Sequence, residues 1–293
     1  MHPQHQHDHH DHGLAHDLAA LEATLLKRRR ALGWMAGLTA VAGAVPLIGC
    51  GGSAEDTSTT DTTTTSGTTT GTTTGTTTTT TTGSCSVIPT ETNGPYPADG
   101  TTSLNALALS GIVRSDVRSS FGTSSTVAAG VPLTVTLTLV NTNNSCASLA
   151  GYAIYIWHCN QAGLYSLYSS GVTNENYLRG VQATDSSGQV TFTTIFPACY
   201  SGRWPHIHFE VYPSLATATS VSHVVKTSQI AMLKTVCDTV YASSGYSASV
   251  SNLAQVSLAT DNVFSDGATL ETPTITGSVS AGYALALTVG IAV

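Results

Sequence analysis

Two histidines separated by one residue, in Pro205-His206-Ile207-His208-Phe209, are the residues of this chain whose spacing best suits chemistry. In a strand, alternate side chains share a face, so the two imidazoles emerge together, with α-carbons about 7 Å apart. So placed, they can grip one metal ion. His-x-His also occurs as a pair of solvated or satisfied histidines, so company has to decide. Tyr200 stands six residues before His206, past a turn containing Ser201 and Gly202, and Tyr165 closes the turn 160–165 that follows Trp157-His158. The chain has 11 tyrosines, so one near a histidine means little. Read by themselves, these residues stop at a possible His/Tyr metal site.

The elements around them are β-strands. Residues 131–140 (VPLTVTLTLV) alternate Leu133, Val135, Leu137 and Leu139 with threonines, the pattern of a half-buried strand with one wet face. Residues 152–158 (YAIYIWH) read as a second strand, apolar on both sides. Asp185-Ser186-Ser187-Gly188 is a turn signal, after which 189–196 (QVTFTTIF) resume alternation. Residues 206–212 form another strand. The only helical candidate is 231–241, and the stretch 270–293 reads as one or two apolar strands. Short strands, turns and little helix predict an all-β, two-sheet sandwich.

Composition narrows the function. Charged residues are 9% of the 293, far below the roughly 25% of an average soluble domain. From Cys50 onward 13 acidic residues face 6 basic ones, and the lack of a basic stripe argues against a nucleic-acid partner. Seven of the eleven histidines fall within residues 2–16; they read as a polar leader, with a metal-binding tract as the alternative. Lys27-Arg28-Arg29-Arg30 precedes the 19-residue apolar run 31–49, and Leu47-Ile48-Gly49-Cys50 ends it. Basic, apolar and small residues in that order predict a cleaved export signal over 1–50. The last four resemble a bacterial lipobox, which makes Cys50 the lipid-carrying residue of a membrane-tethered, exported protein. Arg29-Arg30-Ala31-Leu32 loosely resembles a twin-arginine signature. Residues 57–82 hold 20 threonines in 26 positions. A linker with nothing to bury is expected over 51–83, spanning roughly 28 Å as a coil. Residues 84–293 remain for the folded domain.

The segments IWHCNQAGLYS (156–166) and NYLRGVQATDSSGQVTFTTIFPACYSGRWPHIHFEVY (176–212), with ETNGPYP (91–97) upstream, resemble the core of the intradiol ring-cleavage dioxygenases, the family of catechol and protocatechuate dioxygenases. The resemblance covers about 85–264. It implies non-haem Fe(III) held by Tyr165, Tyr200, His206 and His208 in a sandwich of two sheets. It further implies that Arg203 is the active-site arginine and that Gln229 lies beside the substrate, a catechol-type diol cleaved with dioxygen. By the same resemblance Tyr200 is the tyrosinate that takes a substrate proton, Arg203 stabilises negative charge on the oxygen adduct, and no organic cofactor takes part. Fe(III) is a hard cation that suits phenolate and imidazole better than thiolate. Cys199 before Tyr200, and Trp204-Pro205 before His206, depart from the commoner pattern.

Two other readings compete. One is a non-catalytic surface sandwich on the same scaffold, the other a copper or zinc protein built on His-x-His. The filled ligand positions, with Arg203 and Gln229, favour the enzyme. His158 reads as structural and His223 as a surface or supporting residue. Cysteines 85, 146, 159, 199 and 237 permit at most two disulfides in an exported protein, with pairing and oligomeric state unspecified.

Overall fold

The computed structural model describes residues 85–293. The export signal with its lipidated Cys50, and the threonine-rich linker, lie outside the described residues.

The alternating stretch at 131–140 becomes β1 (Pro132–Asn141), with Leu133, Val135, Leu137 and Leu139 each at most 1% exposed. It is the hub of a five-stranded sheet. The short β2 (Ala147–Ser148) and β5 (Gln189–Ile195) pair antiparallel with it, Val135 opposite Phe192 and Leu137 opposite Val190. On its other side β9 (Gly282–Ile291) runs parallel, Val135 opposite Leu285, and β8 (Thr274–Ser278) forms the edge. The stretch 270–293 is thus two strands, one of them central.

The second sheet has the order β4 (Arg179–Ala183), β3 (Ala153–Trp157), β6 (His206–Tyr212), β7 (Lys226–Ala231), all antiparallel. Residues directly opposite one another point to one face. Ile154, Ile156, Ile207, Phe209, Val211 and Ile230 therefore share a face and join the core with Leu133, Val135 and Phe192. On the other face of β6 stand His206, His208, Glu210 and Tyr212. Trp157 lies opposite His208 from β3 and Gln229 from β7. Here the segment around 91–99 covers the sheet. Tyr155 Oη donates to the Pro97 carbonyl (2.8 Å), and Gln229 Nε2 to that of Thr92 (2.9 Å).

The expected helix is α1 (Lys234–Tyr241). A second, α2 (Ser247–Leu253), follows a Ser-Gly turn; its sequence, SASVSNL, carries little helix propensity. Among the described residues one disulfide forms, Cys85–Cys146, while Cys159, Cys199 and Cys237 are buried free thiols.

Candidate functional site

Four side chains from three places in the chain converge. His206 and His208 come from the start of β6, with Nε2 atoms 3.1 Å apart. Tyr165 Oη and Tyr200 Oη each lie 3.4 Å from His206 Nε2. Donor atoms arranged tetrahedrally at about 2.0–2.1 Å from one ion lie about 3.3–3.4 Å from each other. The three distances from His206 Nε2 to the other donors match that spacing.

Local structure explains why each arrives there. Asn160 builds the turn before Tyr165, its Oδ1 accepting from the backbone N–H groups of Ala162 (2.9 Å) and Leu164 (3.0 Å). Gly163 has φ +82°, and a Cβ there would sit 3.1 Å from Tyr200 Cβ, so glycine serves both the turn and the approach of the second tyrosine. Tyr96 packs on the Tyr165 ring at 4.8 Å. The approach to Tyr200 is held by α2, where Ser249 Oγ accepts from Cys199 N–H and Asn252 Nδ2 donates to the Cys199 carbonyl. The α1–α2 region adds Tyr241 Oη and Tyr246 Oη, donating to the carbonyls of Pro197 and Phe196.

The electrostatics keep Tyr165 and both histidines neutral until a cation arrives. Burial raises the Tyr165 phenol well above its ordinary value, with Tyr200 beside it adding to the shift. Burial likewise lowers His206 to about 3 and His208 well below the usual histidine range, Arg203 adding to both. His206 Nδ1 lies 2.5 Å from the Trp204 carbonyl. A carbonyl only accepts, so Nδ1 carries the proton and the Nε2 lone pair faces the phenols. His208 is stacked on Trp157, rings 4.8 Å apart and 3° from parallel, and its Nδ1 has no hydrogen-bond partner. Two imidazoles and two phenols gathered in this way fit a hard cation that displaces the phenol protons. Among the described residues, no group of three or more His, Cys, Asp and Glu side chains is placed to hold a metal.

Arg203 and Gln229 join the same site. Arg203, 1% exposed, donates from Nη2 to Gln229 Oε1 (2.7 Å) and from Nε to Asp261 Oδ2 (3.0 Å). Asp261 was not legible from the sequence, since no motif surrounds it. Burial alone would raise its carboxyl, but the Arg203 charge and nearby backbone N–H groups outweigh this and keep it below the usual range. His158 belongs elsewhere. Its Nδ1 bonds the Cys159 carbonyl (2.8 Å) and its Nε2 the Thr194 hydroxyl (2.7 Å), as a structural histidine should. His223 is exposed. Cavities of about 580 Å³ between α1 and the β8–β9 hairpin, and about 360 Å³ beside β9, contain none of these residues.

Tyr165, His206 and His208 are at most 2% exposed, whereas Tyr200 is only partly buried. Solvent therefore reaches this group of four through Tyr200.

Comparison with known proteins follows these residues closely. Residues 115–208 match the Dioxygenase family model and include Tyr165, Tyr200, Arg203, His206 and His208. Among solved structures, an intradiol ring-cleavage dioxygenase from Tetranychus urticae is similar at 26% identity and TM-score 0.57, covering 71% of this chain and 95% of that one. A second dioxygenase crystal structure is similar at 25% identity and TM-score 0.56, with the same coverage. No curated protein matches the sequence.

Proposed function

We propose that this chain, which resembles the intradiol ring-cleavage dioxygenases in its matched domain and in its two-sheet fold, is an Fe(III) enzyme of that kind. It would hold iron on Tyr165, Tyr200, His206 and His208 and cleave catechol-type rings between the two hydroxylated carbons, giving muconate-type products. The observation that carries the reading is the convergence of two phenols and the His208 imidazole to 3.1–3.4 Å from His206 Nε2, beside a buried arginine. A ferric ion held there would supply Lewis acidity that favours the deprotonated form of a catechol.

The protein's own residues do the rest. Tyr165, His206 and His208 are locked by packing and form the permanent part of the ligand set. Tyr200, with access to solvent, is the base that takes a catechol proton and passes it outward. Arg203 is fixed by Gln229 and Asp261, so its charge is already oriented where negative charge develops on substrate oxygens. Both atoms of dioxygen end in the product, so the balance requires no external reductant.

The test uses the complete iron-loaded chain with a panel of catechols, following muconate absorbance together with dioxygen uptake. One dioxygen consumed per ring opened is expected. Two tyrosinates on Fe(III) give visible charge transfer, so the protein should be reddish. A colourless preparation with stoichiometric iron would overturn the ligand set, and failure on every catechol would overturn the activity. We also propose that the chain is exported and tethered through a lipid on Cys50. Cys50→Ala should then leave the membrane fraction with its activity intact, and unchanged partitioning would sink that assignment.

A further inference from the structure

We infer that Asp261 is a positioning residue for this site, its one carboxylate holding both the Arg203 guanidinium and the ring of His206; the inference rests on the ligand set proposed above. Asp261 is fully buried and accepts four hydrogen bonds on two oxygens. Oδ2 takes Arg203 Nε (3.0 Å) and the Trp204 backbone N–H (2.6 Å). Oδ1 takes the backbone N–H groups of Val263 (2.9 Å) and Phe264 (3.1 Å).

Both oxygens lead to His206. Through Oδ2 the carboxylate fixes Trp204, which is pinned a second time where its indole Nε1 donates to the Met232 carbonyl (2.8 Å). The Trp204 carbonyl is thereby held against His206 Nδ1 (2.5 Å), the contact that keeps the proton on Nδ1 and the Nε2 lone pair toward the phenols. Through Oδ1 the same carboxylate sets Phe264, whose ring lies 6.5 Å from that of His206. The third branch is Arg203, whose Nη2 meets Gln229 while Nε stays on Asp261.

Asparagine has the shape of aspartate but only one oxygen. Either orientation of its amide turns an NH₂ group toward N–H donors. Asp261→Asn should therefore loosen Trp204 or Phe264 and remove the carboxylate charge that faces Arg203 Nε.

The experiment reads the imidazole nitrogens of the iron-free complete chain by ¹⁵N-correlated NMR, then titrates iron. Wild type should show His206 protonated on Nδ1, and a wild-type His206 protonated on Nε2 would overturn the inference at once. In Asp261→Asn the Nε2–H form should become populated, iron affinity should fall about 10- to 100-fold, and kcat should fall more than KM rises. A folded Asp261→Asn with wild-type tautomer and iron affinity would overturn the role. If that variant fails to fold, Asp261→Asn combined with Arg203→Met removes both charges of the pair. The same tautomer measurement then decides, a wild-type spectrum counting against the inference. The tautomer requires neither iron nor catechol. Absence of ring cleavage by wild type would thus refute the proposed activity while leaving Asp261 to be judged separately.

Discussion

One face of β6 carries two buried polar regions, and they differ in kind. At its start, His206 and His208 meet Tyr165 and Tyr200. At its end, Glu210 and Tyr212 meet Tyr155, Arg179 and the segment around 96–99. The second group is held by a dense set of hydrogen bonds, although Glu210 Oε1 has no partner among the described residues. Tyr212 Oη donates to Glu210 Oε2 at 2.6 Å. Arg179 places all five donor directions on neutral oxygens: Ser166 Oγ, Tyr155 Oη, and the carbonyls of Pro97, Tyr96 and Ser166. In the first group His208 Nδ1 has no partner among the described residues, and Tyr165 Oη, Tyr200 Oη and His208 Nε2 lie 3.1–3.4 Å from His206 Nε2. Burial of polar atoms is common to both. Each also holds one unpartnered atom, so the convergence of ring donors on His206 Nε2 is what marks the chemistry.

The comparison breaks most sharply if iron depends on both groups. His206→Ala or His208→Ala should weaken iron binding by more than about 100-fold, beyond the usual effect of changing a supporting residue. Metal analysis after dialysis checks this, and full iron in either variant would move the site elsewhere.

Next in size is the division between the tyrosines. Tyr200→Phe should keep iron while turnover falls about 10- to 1,000-fold, the scale of losing a general base. Tyr165→Phe should hold iron less firmly and shift the remaining colour. Iron content and initial rate on one good catechol separate them, and the reverse pattern would exchange the two roles.

The far group should affect stability instead. Arg179→Met strands the carbonyls of Tyr96, Pro97 and Ser166, a loss of about 3 kcal/mol or more by urea unfolding. Protein that remains folded should keep its charge-transfer band. A bleached but stable variant would contradict the division.

The smallest effect is at Glu210. Burial, with Asp99 beside it, raises its carboxyl well above 4.5, so the folded chain retains a proton that the unfolded chain releases. Its contribution to stability is complete below about 4.5 and is lost as pH rises toward the folded value. Glu210→Gln should change stability by no more than about 1 kcal/mol at pH 5 and should lose less than wild type between pH 5 and 8. Parallel unfolding curves across that range would refute a protonated Glu210.

Much of this was legible in the residues. Alternation in 131–140 and 189–196 specified β1 and β5 because each has one wet face, and 206–212 matched β6 residue for residue. The resemblance named Tyr165, Tyr200, Arg203 and Gln229, and the fold brings them to the histidine pair. What stayed hidden depends on tertiary contact. The Ser- and Asn-rich α2 forms because Ser249 and Asn252 bond the backbone at Cys199, a reward that propensity does not contain. The tie of Asp261 to the site runs through partners 57 and 58 residues away. The disulfide, too, joins cysteines 61 residues apart with nothing local to pair them.

The parallel pairing of β1 with β9 has a consequence for how the protein is made. Leu133 to Asn141 find their neighbours at Tyr283 to Ile291, about 150 residues later. A growing chain must therefore carry the apolar face of β1 without that neighbour until β9 has been synthesised. Non-local pairing of this sort slows folding and leaves a sticky edge exposed meanwhile. Biogenesis, more than the finished fold, is where this sandwich is vulnerable, and chaperone demand should track the β9 sequence.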